Sequence, residues 1–261
     1  MLKKKKHGRG GQADTDLVWG INAVTELVRM RPELVTEIIV AKDAPGKRRD
    51  AIIALAGAKE LPVRHSVSEP QDCEYVHQGI WARISPVPVL SESDLFALCR
   101  KKIDKGAAPF LLVLDMVQDP QNLGAILRSA LAAGVDCVVL PRDRSAPLSG
   151  AVARSSAGAL FHIAVAQVTN LSRALTGLKK QNIWVAGATR SLSAVSFFSA
   201  DLSGPLCLVV GNEEKGIRPN VLKQCDFQVT IPMKGGLDSL NVAVSAAVLL
   251  YEAVRQRRME P

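Results

Sequence analysis

Three short segments in the C-terminal half of the chain carry most of the side chains that could do chemistry. Each segment follows a strand-like apolar run and precedes a helix-like pattern, and α/β proteins bind their ligands at the carboxyl ends of parallel strands. The segments span 119–128, 211–216 and 231–241. None contains the Gly-rich fingerprint of a dinucleotide-binding fold or of a P-loop. We therefore expect a site that presents polar side chains, rather than bare backbone, to its ligand.

The first segment has a single glycine, Gly124, and several side chains that can form hydrogen bonds. Pro120 fixes φ at the start of a helix, and Asn122 is predicted to cap that helix. Arg128 lies six residues beyond Asn122, about 600° around the helix, so it stands about 120° from the first-turn positions. Its long side chain can still swing toward the strand ends. Taken alone, Asn122 could be only a cap and Arg128 only a surface cation.

The second segment places two carboxylates, Glu213 and Glu214, between Gly211 and Gly216 at a strand end. Gly211 lets a ligand approach the backbone because it has no side chain. A carboxylate in this position can bind a cation, a ribose hydroxyl or an arginine. A solvated turn is the alternative interpretation of this segment alone.

The third segment combines a strand end, a Gly-rich loop and the start of a long helix. Ser239 is predicted to be the N-cap of that helix, which puts Leu240 and Asn241 in the first turn, where backbone N–H groups are free for a ligand. Gly235 and Gly236 indicate a tight loop. Apolar strand-end residues beside free backbone groups would suit an adenine ring.

The pattern around these segments predicts an α/β fold that holds them on one edge of a sheet. Apolar five-residue runs such as 110–114 are typical of parallel strands buried on both faces. Helical spacing between the runs implies right-handed crossovers and an open parallel sheet. The predicted strands are 110–114, 136–140, 161–165, 183–187, 206–210 and 227–231, and the predicted helices are 123–133, 148–157, 171–180, 219–224 and 240–257.

A smaller α/β unit precedes this sheet. Helical spacing at 21–28 and 48–59 alternates with strand-like runs at 37–40, 62–64 and 80–84. The predicted organisation is a basic disordered arm at 1–15, an N-terminal domain at 16–88, a linker at 89–107 with one amphipathic helix, and a C-terminal domain at 108–261.

Composition and charge argue against a membrane-spanning or secreted protein and allow a polyanionic partner. The chain has 261 residues, of which 48% are hydrophobic, and a net charge of +8. Five of these charges lie in the N-terminal arm, which either makes salt-sensitive contacts to a polyanion or is only solvated. No apolar stretch is long enough to span a bilayer, and the N-terminus lacks the apolar core of a secretory signal.

The cysteines and histidines disfavour a disulfide framework and a metal site. The five cysteines are odd in number, far apart and without a C-x-x-C pair, so a reducing, cytoplasmic setting fits best. The four histidines include no H-E-x-x-H arrangement, which leaves little for a metalloenzyme.

Taken together and in order, the three segments resemble the motifs of the SpoU (TrmH) family of RNA 2′-O-ribose methyltransferases. The matching residues are Asp119-Pro-x-Asn-x-Gly-x-x-x-Arg128-Ser, Gly211-x-Glu213-x-x-Gly216 and Ile231-Pro-Met-x-Gly-x-x-x-Ser239-Leu-Asn-Val. In the N-terminal domain, Trp19-Gly-Ile-Asn-Ala23 and His77-Gln-Gly79 resemble the L30e-like RNA-binding domain of one branch of this family. That branch methylates a guanosine in bacterial 23S ribosomal RNA.

The resemblance implies a fold, a cofactor and partners. The C-terminal domain is expected to be a knotted (trefoil, SPOUT-type) parallel-sheet α/β methyltransferase domain that binds S-adenosylmethionine, forms a homodimer and acts on 23S ribosomal RNA without a metal or a membrane. Gly211, Ile231 and Leu240 are expected to bind the cofactor, largely through backbone groups. The residues expected to be catalytic, on the reacting side, are Asn122, Arg128, Glu213, Ser239 and Asn241.

The implied reaction transfers a sulfonium methyl group to a ribose 2′-hydroxyl, a weak nucleophile whose deprotonation must be assisted. The family mechanism gives Arg128 the role of base, but a guanidinium stays protonated in water. We hypothesise instead that Arg128 holds the adjacent phosphate and stabilises the developing alkoxide, while Glu213 and Asn241 fix its orientation. In the motif Glu213 is the aligned carboxylate, and Glu214 is a neighbour that only substitution can exclude.

Three alternatives stay open from the sequence. The same reaction could act on a transfer RNA or on another ribosomal site. The chain could be a non-catalytic RNA-binding factor for ribosome assembly, which would not bind S-adenosylmethionine. A nucleotide-dependent oxidoreductase is the third alternative, and the absent Gly-rich fingerprint disfavours it.

Overall fold

The computed structural model describes residues 17–42, 46–66, 78–191, 193–235 and 239–258. The chain divides into two compact units. Unit 1 comprises Met1–Val87 with Pro147–Phe161, and unit 2 comprises Pro88–Ala146 with His162–Pro261. The predicted arm at 1–15, His77 of the N-terminal motif and Gly236 of the third segment lie outside the described residues.

Strands and helices alternate along most of the chain. The strands are β1 Leu17–Trp19, β2 Val35–Ala41, β3 Val63–Ser66, β4 Ile80–Ile84, β5 Phe110–Asp115, β6 Cys137–Pro141, β7 Ala164–Val168, β8 Trp184–Ala188, β9 Val195–Ser196, β10 Leu206–Gly211 and β11 Phe227–Thr230. The α-helices are α1 Ile21–Met30, α2 Lys47–Gly57, α3 Glu92–Ile103, α4 Pro120–Ala132, α5 Gly150–Ser155, α6 Leu171–Lys179, α7 Pro219–Leu222 and α8 Val242–Arg258. Short 3₁₀ turns lie at Pro32–Leu34 and Ala159–Phe161.

Unit 1 contains a four-stranded sheet with strand order β1-β4-β2-β3, in which β4 is antiparallel to both of its neighbours. The amphipathic helix α1 buries the apolar stripe that its sequence predicts, including Val24, Leu27 and Val28. A separate apolar cluster joins the sheet residues Trp19, Ile39 and Trp81 to helix α5.

Helix α5 belongs to unit 1 although it follows β6 in the chain. A Cβ atom at Gly150 would lie 1.9 Å from the carbonyl oxygen of Leu17, so only glycine allows this approach to β1. The Nε of Arg31 donates a hydrogen bond to the carbonyl oxygen of Phe161 at 3.3 Å, across 130 positions of sequence. Residues 147–161 thus pack with the N-terminal unit, whereas the sequence pattern places them within the C-terminal range 108–261.

Unit 2 is built on a seven-stranded sheet with the order β7-β6-β5-β10-β8-β11-β9, and the ladders between its strands are parallel. The strands β5, β6 and β10 are buried along their whole length, as their continuous apolar runs predict. Helices α3, α6 and α7 contribute to one apolar core cluster with alternate strand residues, while α4 packs against α8. The predicted α/β class, with a parallel sheet and a smaller N-terminal unit, is confirmed.

Some predicted elements are placed differently by the structure. The strand predicted at 161–165 is β7, Ala164–Val168, and Ala159–Phe161 forms a 3₁₀ turn. The mostly apolar run around these residues has no clear periodicity to mark where the strand begins. The segment predicted as a linker holds α3, whose Leu95 and Cys99 lie in the core cluster of unit 2.

Candidate active site

The three polar segments lie at one edge of the unit 2 sheet. They follow β5, β10 and β11, and the parallel register of β5 with β10 places Asp115 opposite Gly211. Because the carboxyl ends of parallel strands share one edge, side chains from distant parts of the sequence can meet there. The site is therefore positioned by the sheet rather than by local sequence.

One hydrogen-bonded cluster contains a residue from each segment: Asn122, Glu213 and Asn241. Glu213 Oε1 accepts hydrogen bonds from Asn122 Nδ2 at 3.0 Å and from Asn241 Nδ2 at 2.7 Å. Asn241 Nδ2 also donates to Asn122 Oδ1 at 2.9 Å. The backbone N–H of Val242 donates to Glu213 Oε1 at 3.2 Å, at the helix end whose dipole favours a negative charge. We call these three side chains the Asn–Glu–Asn cluster.

The cap of α4 differs from the predicted one. Asp119, not Asn122, is the N-cap, because its carboxylate accepts from the backbone N–H groups of Gln121 at 3.0 Å and Asn122 at 3.4 Å. Pro120 occupies the first helical position, which suits its fixed φ and sets the cap one residue earlier. The side-chain amide of Asn122 is consequently available to Glu213.

The cap of α8 also differs from the predicted one. Asn241, not Ser239, accepts from the first free N–H groups, those of Ala243 at 2.9 Å and Val244 at 3.4 Å. Asparagine and serine are about equally good caps, so their order in sequence does not decide between them. Since Asn241 precedes the helix, it can cap α8 through Oδ1 and bind Glu213 through Nδ2.

Arg128 stands apart from the cluster. It is exposed on α4, and its side chain makes no hydrogen bond or ion pair with any residue in the described part of the chain. The expected orientation of Arg128 by Glu213 and Asn241 is not observed in this structure, because both of those side chains bind Asn122 instead.

The loop after β10 is a tight turn that places the Glu213 side chain between Asn122 and Asn241. A Cβ atom on Gly211 would lie 2.2 Å from the carbonyl carbon of Gly216, so the close approach requires glycine. Asn212 Oδ1 accepts from the backbone N–H groups of Glu214 at 3.0 Å and Lys215 at 3.2 Å, which holds the turn. Glu214 is exposed, so it is Glu213 that faces the other segments.

A buried ion pair that the sequence did not reveal ties this loop to β5. Asp115, which is fully buried, accepts from the backbone N–H of Arg218 at 2.8 Å and from its Nε at 2.8 Å. The Arg218 Nη2 atom lies 2.7 Å from the same carboxylate. The only sequence signal is one carboxylate at the end of an apolar run, and its partner lies 103 residues away.

A pocket of about 220 Å³ opens beside the cluster. The three residues predicted to bind a cofactor, Gly211, Ile231 and Leu240, all line it, and so do Glu213 and Ser239. Asn122, Arg128 and Asn241 are not among the residues that line it.

The lining of the pocket fits a flat heterocycle. Apolar side chains from the strand ends, such as Val229 and Met233, form part of the wall, and polar side chains such as Thr189 form the rest. Among the described residues, the backbone groups of Ile231 and Leu240 have no hydrogen-bond partner, so they are free to pair with a ligand. Apolar walls with a few free polar groups are typical of nucleoside sites.

Neither a metal centre nor a membrane span is found in the described part of the chain. No group of three or more His, Cys, Asp or Glu side chains there is arranged to hold a metal ion. None of the described helices combines the length and apolar character needed to cross a membrane.

Solved structures share this fold. The SpoU methyltransferase AviRb from Streptomyces viridochromogenes, in complex with AdoMet, has a TM-score of 0.75 at 23% identity, covering 93% of this chain and 90% of that one. A crystal structure of an RNA 2′-O ribose methyltransferase has a TM-score of 0.72 at 27% identity, covering 93% and 89%.

Curated relatives are similar along nearly the whole chain. The 23S rRNA (guanosine-2′-O-)-methyltransferase RlmB of Pseudomonas putida is 39% identical over 245 residues, which cover 93% of this chain and 97% of that protein. RlmB of Escherichia coli K12 is 39% identical over 247 residues, which cover 93% and 99%.

Two family models match the chain. The model for RNA 2′-O ribose methyltransferase substrate binding matches residues 17–90, and the model for the SpoU rRNA Methylase family matches residues 109–251. These matches confirm the resemblance carried by the three segments. The chain belongs to the SpoU rRNA methylase family.

Proposed function

We propose that this protein transfers a methyl group from S-adenosylmethionine to the ribose 2′-hydroxyl of a guanosine in 23S ribosomal RNA. The observation that carries the proposal is the Asn–Glu–Asn cluster, which joins all three segments beside the pocket. The relatives whose names specify this reaction match the chain over nearly its whole length.

The pocket residues would hold the cofactor. Ile231 and Leu240 offer unpaired backbone groups to an adenine ring, and Gly211 lines the pocket at the end of β10. When bound, S-adenosylmethionine supplies a methyl group activated by its positively charged sulfur.

The Asn–Glu–Asn cluster would orient polar groups toward the ribose. Asn241 Nδ2 donates to both Glu213 and Asn122, and its Oδ1 caps α8, so this amide is fully used. Asn122 Nδ2 uses one proton on Glu213 and keeps the other for a ligand. Glu213 Oε1 is occupied by three donors, which leaves Oε2 to accept a hydrogen bond from the 2′-hydroxyl.

Arg128 and Ser239 would contact the RNA. Arg128 is exposed and unpaired in the described structure, so its guanidinium can bind a phosphate with two parallel hydrogen bonds and stabilise a nearby alkoxide. Its role is electrostatic. A guanidinium does not give up its proton in water, so it has no free site to accept one as a base. Ser239 is exposed at the pocket and would contribute its hydroxyl to the ribose.

The same proposal includes the assembly and setting of the protein. We expect a trefoil knot around the pocket, a homodimer through the catalytic domain, a cytoplasmic location, an L30e-like RNA-binding role for 16–88 and phosphate contacts by the arm at 1–15. The position of β10 between the earlier strands β5 and β8 supports the knot. Val244 and Tyr251, which are 48% and 52% exposed and lie seven residues apart on α8, support pairing through that helix.

The proposal is tested by mapping ribose methylation in ribosomal and transfer RNA from cells with and without the gene. We expect one guanosine of 23S ribosomal RNA to lose its 2′-O-methyl group, and to regain it when the wild-type gene, but not a Glu213→Gln gene, is restored. Loss of a methyl group from a transfer RNA instead would show that the substrate is a transfer RNA and not 23S ribosomal RNA. Calorimetry that detects no binding of S-adenosylmethionine would favour a non-catalytic assembly factor.

A further inference from the structure

A second groove in unit 2 lies between α3 and α6 and shares no lining residue with the pocket of the candidate active site. Its volume is about 590 Å³. Its principal walls are Glu92, Phe96 and Arg100, at successive i, i+4 positions of α3, and Arg173, Gly177 and Lys180 from α6 and its C-cap. We call this feature the α3–α6 groove.

The ring of Phe96 forms an apolar floor, and Gly177 makes room for it. A Cβ atom at position 177 would lie 2.2 Å from Phe96 Cζ, so any other residue would displace the ring. Glycine inside a helix costs about 1 kcal/mol relative to alanine. The contact with Phe96 accounts for a glycine in the middle of α6. Phe96 also packs against the core cluster, which leaves part of its ring at the bottom of a charged groove.

Two cations in the walls have no partner. The side chains of Arg100 and Lys180 are exposed and form no hydrogen bond or ion pair with any residue that the structure describes. Their neighbours on the same helices, Lys102 and Lys179, are instead held in ion pairs with aspartates. Arg100 and Lys180 are thus available for a ligand in the groove.

The acidic residue in the wall is already neutralised. Glu92 accepts hydrogen bonds from Arg173 Nε at 3.0 Å and from Arg173 Nη2 at 2.9 Å. This two-bonded pair fixes the guanidinium at the groove wall and cancels the charge of the carboxylate. With Arg100 and Lys180 added, the groove carries two net positive charges.

We propose that the α3–α6 groove binds the ribose–phosphate backbone of the substrate RNA at nucleotides other than the one that is methylated. Arg100 and Lys180 bind phosphates, and Phe96 supplies an apolar surface for a base or ribose, a combination typical of single-stranded nucleic-acid sites. Phosphate contacts position an RNA without reading its sequence, so the groove sets the register of the strand that enters the pocket. The identity of the polyanion rests on the proposed function.

The double variant R100Q/K180Q replaces both unpaired cations with neutral polar side chains. We expect its affinity for an unmodified 23S ribosomal RNA transcript to fall about tenfold at low salt. The slope of log affinity against log salt should become shallower by about 1.4, because each single-strand phosphate that is no longer neutralised reduces it by about 0.7. Calorimetry should show wild-type binding of S-adenosylmethionine, because the pocket shares no residue with the groove.

The matched control is R258Q. Arg258 is an exposed arginine at the end of α8 with no partner in the described structure, and it does not line the groove. We expect R258Q to keep the wild-type RNA affinity and salt slope. A loss equal to that of R100Q/K180Q would show that any exposed arginine matters, and the assignment of the groove would fail.

A photo-crosslinking amino acid at Ala97, an exposed position in the groove, provides a second readout in the otherwise unchanged protein. We expect it to capture the 23S transcript, and unlabelled transcript to compete. No RNA cross-link, capture of an acidic protein from a lysate in place of RNA, or a wild-type salt slope in R100Q/K180Q would each overturn the inference while leaving the proposed function standing. A protein that cross-links RNA here but methylates none would have the groove without the proposed activity.

Discussion

The middle of the unit 2 sheet and its carboxyl edge are held together by different forces. In the middle, strand residues such as Leu111, Val113 and Val209 pack in an apolar core that requires no directional contact. At the edge, Asp115 and Glu213 are satisfied by partners from other segments, in hydrogen bonds that depend on geometry. The middle therefore specifies the fold, and the edge specifies the chemistry.

The largest loss of stability is expected when the ion pair between Asp115 and Arg218 at the edge of the sheet is broken. Asp115→Asn keeps the shape of the side chain but leaves the guanidinium of Arg218 without its counter-charge. Loss of one partner of a buried pair typically destabilises a protein by about 3–5 kcal/mol. Urea unfolding of the purified protein measures this change.

The control for Asp115→Asn is Glu92→Gln, which breaks the pair with Arg173. The Arg173 side chain is 65% exposed, so solvent screens this pair and stability should change little. Equal losses from the two substitutions would show that burial of the pair is not what makes the edge fragile.

The cysteines test the apolar core around the middle of the sheet, which contains Cys99, Cys137 and Cys207 and packs against Cys225. Burial raises the pKa of the Cys99 thiol to about 11 and those of Cys137 and Cys225 to about 12, from an ordinary value of 9.0. Cys207 is fully buried, and its pKa is raised well above that value for the same reason. At pH 8 the thiolate fraction is then lower by about a hundredfold or more, so these thiols should react with a disulfide reagent only when the protein unfolds.

The measurement uses a Cys73→Ser protein, because Cys73 lies outside the described residues. Four thiols should react quickly in urea and none in the native protein at pH 8. Since the folded-state pKa values are raised, the stability that depends on neutral thiols is complete below about pH 9 and declines as the pH rises toward about 11–12. Rapid native reaction would show that the middle of the sheet opens more readily than its packing implies.

The same division explains which features the sequence predicts. Continuous apolar runs predict β5 and β10, because a strand buried on both faces admits little else. The sequence also locates the site, because the polar segments follow predicted strand ends. It does not identify the N-cap residues of α4 and α8. Asp119 and Asn122, like Ser239 and Asn241, are equally good candidates until tertiary contacts decide between them.

Contacts between residues that are distant in the chain also cannot be predicted from the sequence. Nothing near Asp115 indicates that Arg218 is its partner, and nothing near Gly150 indicates that it packs against β1 of unit 1. Hydrophobic periodicity reports which face of an element is buried, but it does not identify the surface that covers that face.

Substitution of Glu213, the carboxylate of the Asn–Glu–Asn cluster, is expected to lower activity. Glu213→Gln keeps the size of the side chain and one oxygen for the three neighbouring N–H groups, but it removes the charge and replaces the free acceptor Oε2 with an N–H donor. Small displacements of positioning groups can lower a rate by about a hundredfold, so we expect a decrease of this size in kcat for 2′-O-methylation. Glu214→Gln, at the exposed neighbour, should retain wild-type kcat. The opposite ranking would reassign the carboxylate of the motif to Glu214.

The smallest effect is expected at Arg128, which belongs neither to the core nor to the cluster. Arg128→Lys keeps the charge but loses the planar fork that binds a phosphate with two hydrogen bonds, so kcat should fall about tenfold. Because Arg128 is exposed and has no partner in the described structure, stability and binding of S-adenosylmethionine should not change. Arg258→Lys, at another exposed position, is the control for the substitution itself. A full kcat in Arg128→Lys would mean that a point charge is sufficient, and the proposed two-bond contact with phosphate would have to be abandoned.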